Sequence, residues 1–536
     1  MAKGFSQPST MVHSFRDVPR ADIQRSAFRR SRGYKTTIDS DYLYPIFFDE
    51  CLPGDSLKVN VSSIARLATP LFPMMDNIFM DFFFFAIPNR LVWDNWQKFC
   101  GERADPGASI DFTVPVIEAP AGTGWVVGSL GDYFGLPTEV PGIEVNALHF
   151  RAYNLVYREW FRDQNLIDSP VVDVDDGPDD PADYVLRKRG KRHDYFTSCL
   201  PWPQKGAGVE LPLGSTAPVV TGSDRSWDSG NTTPARFMYA ASGGHPPSSY
   251  APFLSSAGDM KASTWAPTGD AGGVQPENLY ADLSDATAAT INSLREAFQL
   301  QRMLERDARG GTRYVEILRS HFRVESPDAR LQRPEYLGGG TTRVVISPIA
   351  QTSESGATVQ GNLAAIGFQN HSGISFSHAS VEHSVVIGLV SVRADLTYQT
   401  GIDRMWSRQT RYDFYWPALA NLGEQEVLNK EIYADASAND DLVFGYQERW
   451  AELRYGISHI TGALRSSYAT SLDAWHLSQD FASLPVLNQS FIEETVPLDR
   501  VVAVPSEPKF ILDAWFDVTS VRPLPTFSVP GMIDHF

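Results

Sequence analysis

MDFFFFAIPNRLVWDNWQKFCG runs from Met80 to Gly101 and sets four consecutive phenylalanines, Phe82–Phe85, inside an acidic chain. Such a run could serve a membrane, a partner or a core. It is too short for a membrane. A spanning helix needs roughly 20 apolar residues, and Pro88, Asn89 and Arg90 close the run directly after Ile87. In a strand, successive side chains point to opposite faces. Four phenylalanines in a row therefore predict a strand over Ile78–Ile87 that is covered on both sides, with a subunit interface as the alternative cover. The exit, Pro88–Phe99, reads as a short helix that places Trp93 and Trp96 near a subunit contact.

The rest of the chain extends this β reading. Among 536 residues, 43% are hydrophobic, ample for a large core. With 36 prolines and 40 glycines, the composition favours many strands joined by long loops. Ser56–Ile64 alternates Leu57, Val59 and Val61 with polar neighbours, the pattern of a half-buried strand. Ser384–Tyr398 and Phe510–Val521 are long and β-rich, and Arg343–Ile346 and Phe444–Leu453 are further candidates. Gly338–Gly340 lacks a strand–GxGxxG–helix setting and reads as a turn. The clearest helix is Ala286–Arg309, stopped by Gly310 and Gly311 and followed by further helical turns over Thr312–Phe322. Strands at both ends with other material between them point to one sheet system interrupted by insertions.

Charge divides the chain. The first 35 residues carry eight basic side chains against Asp17 and Asp22, a net of +6, while the whole chain is at −18. This segment reads as an extended arm with a short helical turn near Ile23–Phe28. It is either a solvated tail or an arm that docks on a neighbouring subunit and meets phosphates, which requires only positive charge. Asp168–Asp183 holds seven aspartates but fails the EF-hand spacing, because Gly177 falls at position 5 counted from Asp173. It reads as a solvated acidic loop, with an incidental cation site as the alternative. Arg187–His193 (RKRGKRH) follows, to pair with that acidic run or to face phosphate. Gly206–Gly273 is rich in Gly, Ser, Thr and Pro yet keeps Trp227, Tyr250 and Trp265, so it reads as an ordered, exposed excursion.

Few features suggest chemistry. Phosphate-loop, HExxH and GxSxG motifs are all missing. His371, His378 and His383 with Glu382 resemble a metal site only loosely, since an offset of five puts His378 and His383 on opposite faces of a strand. Cys51, Cys100 and Cys199 are widely spaced and read as inert thiols. No catalytic residue, metal or cofactor is expected. The first twenty residues lack the apolar segment of a secretory signal, from which we expect cytoplasmic synthesis.

Several stretches resemble the major capsid proteins of gokushoviruses, small single-stranded DNA bacteriophages of the Microviridae. They are HSF..VP from His13, RSAFRRSRGYKTT from Arg25, LPGD from Leu52, TPLFPMMDN from Thr69, the Phe82–Glu102 run, YFTSCLPWPQKG from Tyr195, FGYQERWAELRYG from Phe444 and RPLPTFSVPG from Arg522. They keep the family's order along nearly the whole chain. The resemblance implies a mainly β protein, a viral jelly roll (an antiparallel β-sandwich or barrel) with long loop and helical insertions. It implies a virion protein, assembled in the host bacterial cytoplasm into a T=1 icosahedral shell around circular single-stranded DNA. Its implied partners are itself, that genome, a small basic DNA-binding protein, an internal scaffolding protein and a host cell-surface receptor. The chain then divides into an internal basic arm (1–40), a first part of the roll (41–205), an exposed insertion forming a threefold protrusion for host attachment (206–282), and the remaining roll with a C-terminal extension (283–536). For phosphate contacts the expected residues are Arg25, Arg29, Arg30, Arg32 and Lys35, with Phe28 and Tyr34 as stacking faces.

Two other classes compete. A glycan-binding jelly roll that forms no shell would use Trp227, Tyr250 and Trp265 as platforms, a role that a capsid protrusion could share. A β-sandwich hydrolase would need paired carboxylates in one cleft, and no motif supports it.

Overall fold

The computed structural model describes residues 24–209, 219–221, 238–239, 274–275, 279–281, 291–324, 332–356 and 359–527. The chain forms two compact units, one of Met1–Pro203 with Ala308–Phe536 and one of Gln204–Asp307.

The first unit is built on nine strands: β1 (Ser26–Arg29), β2 (Arg32–Ile38), β3 (Tyr44–Cys51), β4 (Ser56–Leu67), β5 (Ile78–Pro88), β6 (Glu335–Ala350), β7 (Leu363–Ala379), β8 (Ser384–Ala394) and β9 (Phe510–Arg522). Their pairing is nested and antiparallel throughout: β5 with β6, β4 with β7, β3 with β8, β2 with β9. A long hairpin of four nested pairs has been rolled up. Rolling adds the contacts β9–β4 and β8–β5. The result is two four-stranded sheets, β2-β9-β4-β7 and β3-β8-β5-β6, continuous along one edge through β6 and β7. This is a jelly roll. Its innermost turn is the excursion of residues 89–334, and a second excursion, 395–509, separates β8 from β9.

The burial pattern follows the sequence. β4 alternates without a break, with Leu57, Val59, Val61, Ala65 and Leu67 turned inward. β9 does the same with Phe510, Leu512, Ala514, Phe516 and Val518. β5 is covered on both faces, as its phenylalanines predict. Phe82 and Phe84 enter the core between the sheets. Phe85 and Ile87 enter a second core on the far side of the β3-β8-β5-β6 sheet, under the helix α1 (Leu148–Val156), and Phe83 packs against its rim. The rings of Phe83 and Phe161 meet edge-on at 5.2 Å. Fully burying each such side chain contributes about 2–3 kcal/mol. A third core binds Tyr195, Phe196 and Cys199 to the second excursion through Val427, Phe444 and Phe491.

Three expectations need correction. Gly338–Gly340 is not a turn but part of β6, where a bulge lies between Tyr336 and Gly338. A Cβ at Gly339 would collide with the Phe82 carbonyl, so glycine allows the strands to approach. The helical turn near Ile23–Phe28 gives way to strand from Ser26 onward, while Ile23 lies outside the described residues. The acidic run is solvated only in part: Asp168, Asp175, Asp176 and Asp180 are exposed, while Asp179 is buried against Arg151 of α1. Trp93 is fully buried within the chain and donates to Asp176 at 2.7 Å.

In the second unit, Leu279–Ala281 pairs with Val219–Thr221 and Val274–Gln275 with Met238–Tyr239. The helix α2 (Ile291–Arg309) covers most of the expected helical stretch. Among the described residues no helix is long and apolar enough to cross a membrane.

Candidate nucleic-acid interface

The basic segment forms a sheet edge. β1 and β2 both pair with β9, β1 along Thr519–Arg522 and β2 along Phe510–Phe516. Strand alternation divides the expected phosphate contacts between two faces.

One set turns toward the body. Arg30 grips Asp49 through two hydrogen bonds, 2.7 and 3.0 Å. Arg32 donates to the Phe48 carbonyl, with its guanidinium 4.8 Å from the Phe47 ring centroid. The Tyr34 hydroxyl donates to the Tyr133 carbonyl at 2.8 Å, and burial lifts its phenol well above the ordinary value. Phe28 is half-buried on the same side. These four fasten the strand to the roll.

The other set faces solvent. Arg29 and Lys35 are exposed on the outer side, and Arg25, at the start of the segment, is exposed while donating to the Gly54 carbonyl. Lys35 pairs with Asp513. The outer face of the β2-β9-β4-β7 sheet continues past them. One register row runs Arg29, Thr519, Lys58 and Ser377, and another runs Ile511, Arg66 and Phe368. Trp515 stands between these rows beside Gly33 and Ser62. Sequence alone placed Lys58 among the polar neighbours of its strand and read the strand of Trp515 only as β-rich. It could not show that the pairing brings Lys58 and Trp515 onto one surface.

Several other cations are paired inside the first unit. Arg189 and Arg393 converge on Asp81 of β5, with Arg393 Nε donating at 2.8 Å. Burial raises the Asp81 carboxyl, but hydrogen bonds from Arg189, Thr341 and Arg393 outweigh it and hold the group below its ordinary value. The RKRGKRH run therefore pairs largely with the roll and the second excursion, since Lys191 also reaches the Phe491 carbonyl at 2.7 Å. Arg151 is wholly buried. It binds Asp179 and donates to the backbone carbonyls of Val92 and Asp175 at 3.0 and 2.9 Å. Among the described residues no group of three or more His, Cys, Asp or Glu side chains is placed to hold a metal ion. His378 lies 3.8 Å from Glu335. Trp227, Tyr250 and Trp265 lie outside the described residues.

A jelly roll whose strands are interrupted by excursions longer than themselves belongs to an architecture shared by viral shells and lectins. Comparison with known proteins decides between them. Residues 16–532 match the family described as "Capsid protein (F protein)". The chain is 50% identical to capsid protein VP1 of Bdellovibrio phage phiMH2K over 98% of both chains. It is 42% identical to capsid protein VP1 of Chlamydia phage 1, over 99% of this chain and all of that one. With capsid protein VP1 of Spiroplasma virus 4 the identity is 37%, over 99% and 100%. The chain belongs to the capsid protein (F protein) family, among the gokushoviruses of the Microviridae. It is a structural component of a phage virion.

Proposed function

We propose that copies of this chain assemble into a T=1 icosahedral shell enclosing a circular single-stranded DNA genome. The observation that carries this reading is the correspondence with capsid proteins along the whole chain. The basic N-terminal segment (1–40) faces the genome, with Arg25, Arg29 and Lys35 as phosphate contacts. Arg30, Arg32, Phe28 and Tyr34, which turn toward the roll, hold that segment in place. The insertion over 206–282 builds a protrusion at the threefold axis that contacts a host receptor. An internal scaffolding protein and a small basic DNA-binding protein take part in assembly and packaging.

The test is co-expression of the chain with its neighbouring viral genes. Nuclease-treated particles should release circular single-stranded DNA, and deletion of 206–282 should leave shells that no longer adsorb to host cells. Shells that never carry DNA would contradict the genome-enclosing role. Undiminished adsorption of the deletion would contradict the attachment role.

A further inference from the structure

The two sheets of the roll differ in their cover. In the β3-β8-β5-β6 sheet every residue of β8 is buried and β5 is largely covered beneath α1 and the first excursion, while β6 is mostly exposed. By contrast, among the described residues the outer face of β2-β9-β4-β7 is exposed along β4 and along much of β9 and β7. On β4, Ser56, Lys58, Asn60, Ser62, Ile64 and Arg66 all point to solvent. Trp515 is 53% exposed and Phe368 44% exposed. Trp515 lies against Gly33, where a Cβ would come within 3.4 Å of its ring, and about half of its surface stays exposed. From the strand spacing and rise, the two aromatics stand roughly 10 Å apart across the sheet and roughly 14 Å along it.

Charge on this face runs against that of the chain. Arg29, Lys35, Lys58 and Arg66 stand there against Asp513 and Asp517. Asp513 is taken by Lys35 and Asp517 accepts from Ser31 at 2.6 Å. Arg29, Lys58 and Arg66 have no carboxylate partner among the described residues. Unpaired cations alternating with half-exposed aromatic rings on one sheet face suit a partner with both phosphates and unpaired bases. A duplex hides its bases, and a plain apolar partner would leave three cations unpaired.

We propose that the outer face of the β2-β9-β4-β7 sheet is a platform for single-stranded nucleic acid, on which Trp515 and Phe368 stack bases while Arg29, Lys58 and Arg66 contact phosphates. The inference rests on the shell reading above and adds to it a surface that includes strands far from the N-terminal segment in sequence. Because stacking tolerates any base, the platform reads no sequence.

Two measurements test it. In the first, DNA-filled particles are irradiated with ultraviolet light and the crosslinked peptides are mapped. Crosslinks on the peptides that carry Trp515 and Phe368 are expected. Filled particles crosslinked only at other sites would overturn the platform and leave the shell reading intact. So would contacts from a second copy of the chain covering Trp515. Particles lacking DNA would remove the shell-and-genome reading itself, and the platform with it. In the second, purified chain is titrated with a labelled oligothymidylate. Trp515→Ala should weaken binding roughly 5- to 150-fold and Trp515→Phe should restore most of it. The Lys58→Gln, Arg66→Gln double variant should reduce the logarithmic salt slope by about 1.4. Unchanged affinity and slope in soluble, folded variants would overturn the platform.

Discussion

At the scale of single residues, the fold depends on buried charges more than on any exposed group. Arg151 sits inside the second core with Asp179 as its ion-pair partner, and Tyr184 donates to the same carboxylate at 2.8 Å. Removing the guanidinium would strand a buried carboxylate. We expect Arg151→Ala to destabilise the chain by about 3–5 kcal/mol, read as a loss of soluble yield and a large drop in thermal midpoint. A midpoint within error of the wild type would show that the pair carries no such weight. Glu494 makes a second case. It is buried beside Asp41, and burial first, then repulsion from Asp41, pushes its carboxyl up to about 8, against the pull of Lys191, Arg189 and Arg393. Burial likewise lifts Asp41, to about 6. The folded chain thus holds a proton on Glu494 that the unfolded chain has lost, so stability should fall as pH rises from about 4.5 toward about 8. Glu494→Gln should flatten that slope in thermal midpoints measured across the window. An identical slope in both proteins would remove Glu494 as its source.

At the scale of elements, β5 is the strand that decides the roll, and its two faces make separate predictions. Phe82→Ala opens the inter-sheet core and Phe85→Ala opens the core under α1. Each should cost about 3–5 kcal/mol. Phe83 contacts Phe161 and lies under Arg189, whose guanidinium is 5.0 Å from its ring centroid. Phe83→Asp should therefore abolish soluble folding. Folded monomers that merely fail to assemble would instead make Phe83 an interface residue. Close approach of strands adds a further constraint at Gly388 of β8, where a Cβ would press into the Phe84 ring and the Phe47 side chain. Gly388→Leu should be insoluble for that reason, and recovery of wild-type yield would contradict the packing described.

The same elements show what a sequence can and cannot reveal. Strands with clean alternation or dense β-formers, such as β4, β5, β8 and β9, were legible. β3 begins Tyr44-Pro45 and has a continuous apolar start, and β7 is broken by Gly367 and Gly373 and dotted with serines, so neither carries the period-2 signal. Glycines in β6 read as a turn because close backbone approach to Phe82 leaves no trace in a single sequence. The candidate interface was legible as charge, at Arg29 and Lys35. The face to which each cation turns was not, because register with β9 decides it. Nor could the sequence reveal that Asp173–Asp183 folds onto Arg151 and Trp93, since that pairing spans the first excursion.

At the scale of the whole molecule, nested pairing explains how one roll carries so much additional chain. Insertions at the innermost turn and between β8 and β9 leave every ladder intact, so the excursions can diversify while the sheets persist. One sheet is committed to covering the chain's own core, and the other presents a cationic, aromatic face. A shell subunit needs such a difference between its sides, because one surface meets the genome and the other meets solvent. The most direct measurement is a three-dimensional reconstruction by electron cryo-microscopy of particles made by co-expression. A T=1 icosahedral shell is expected, with one chain per asymmetric unit and the open face of β2-β9-β4-β7 directed at the interior. Small discrete oligomers in place of shells, or shells with that face directed outward, would contradict it.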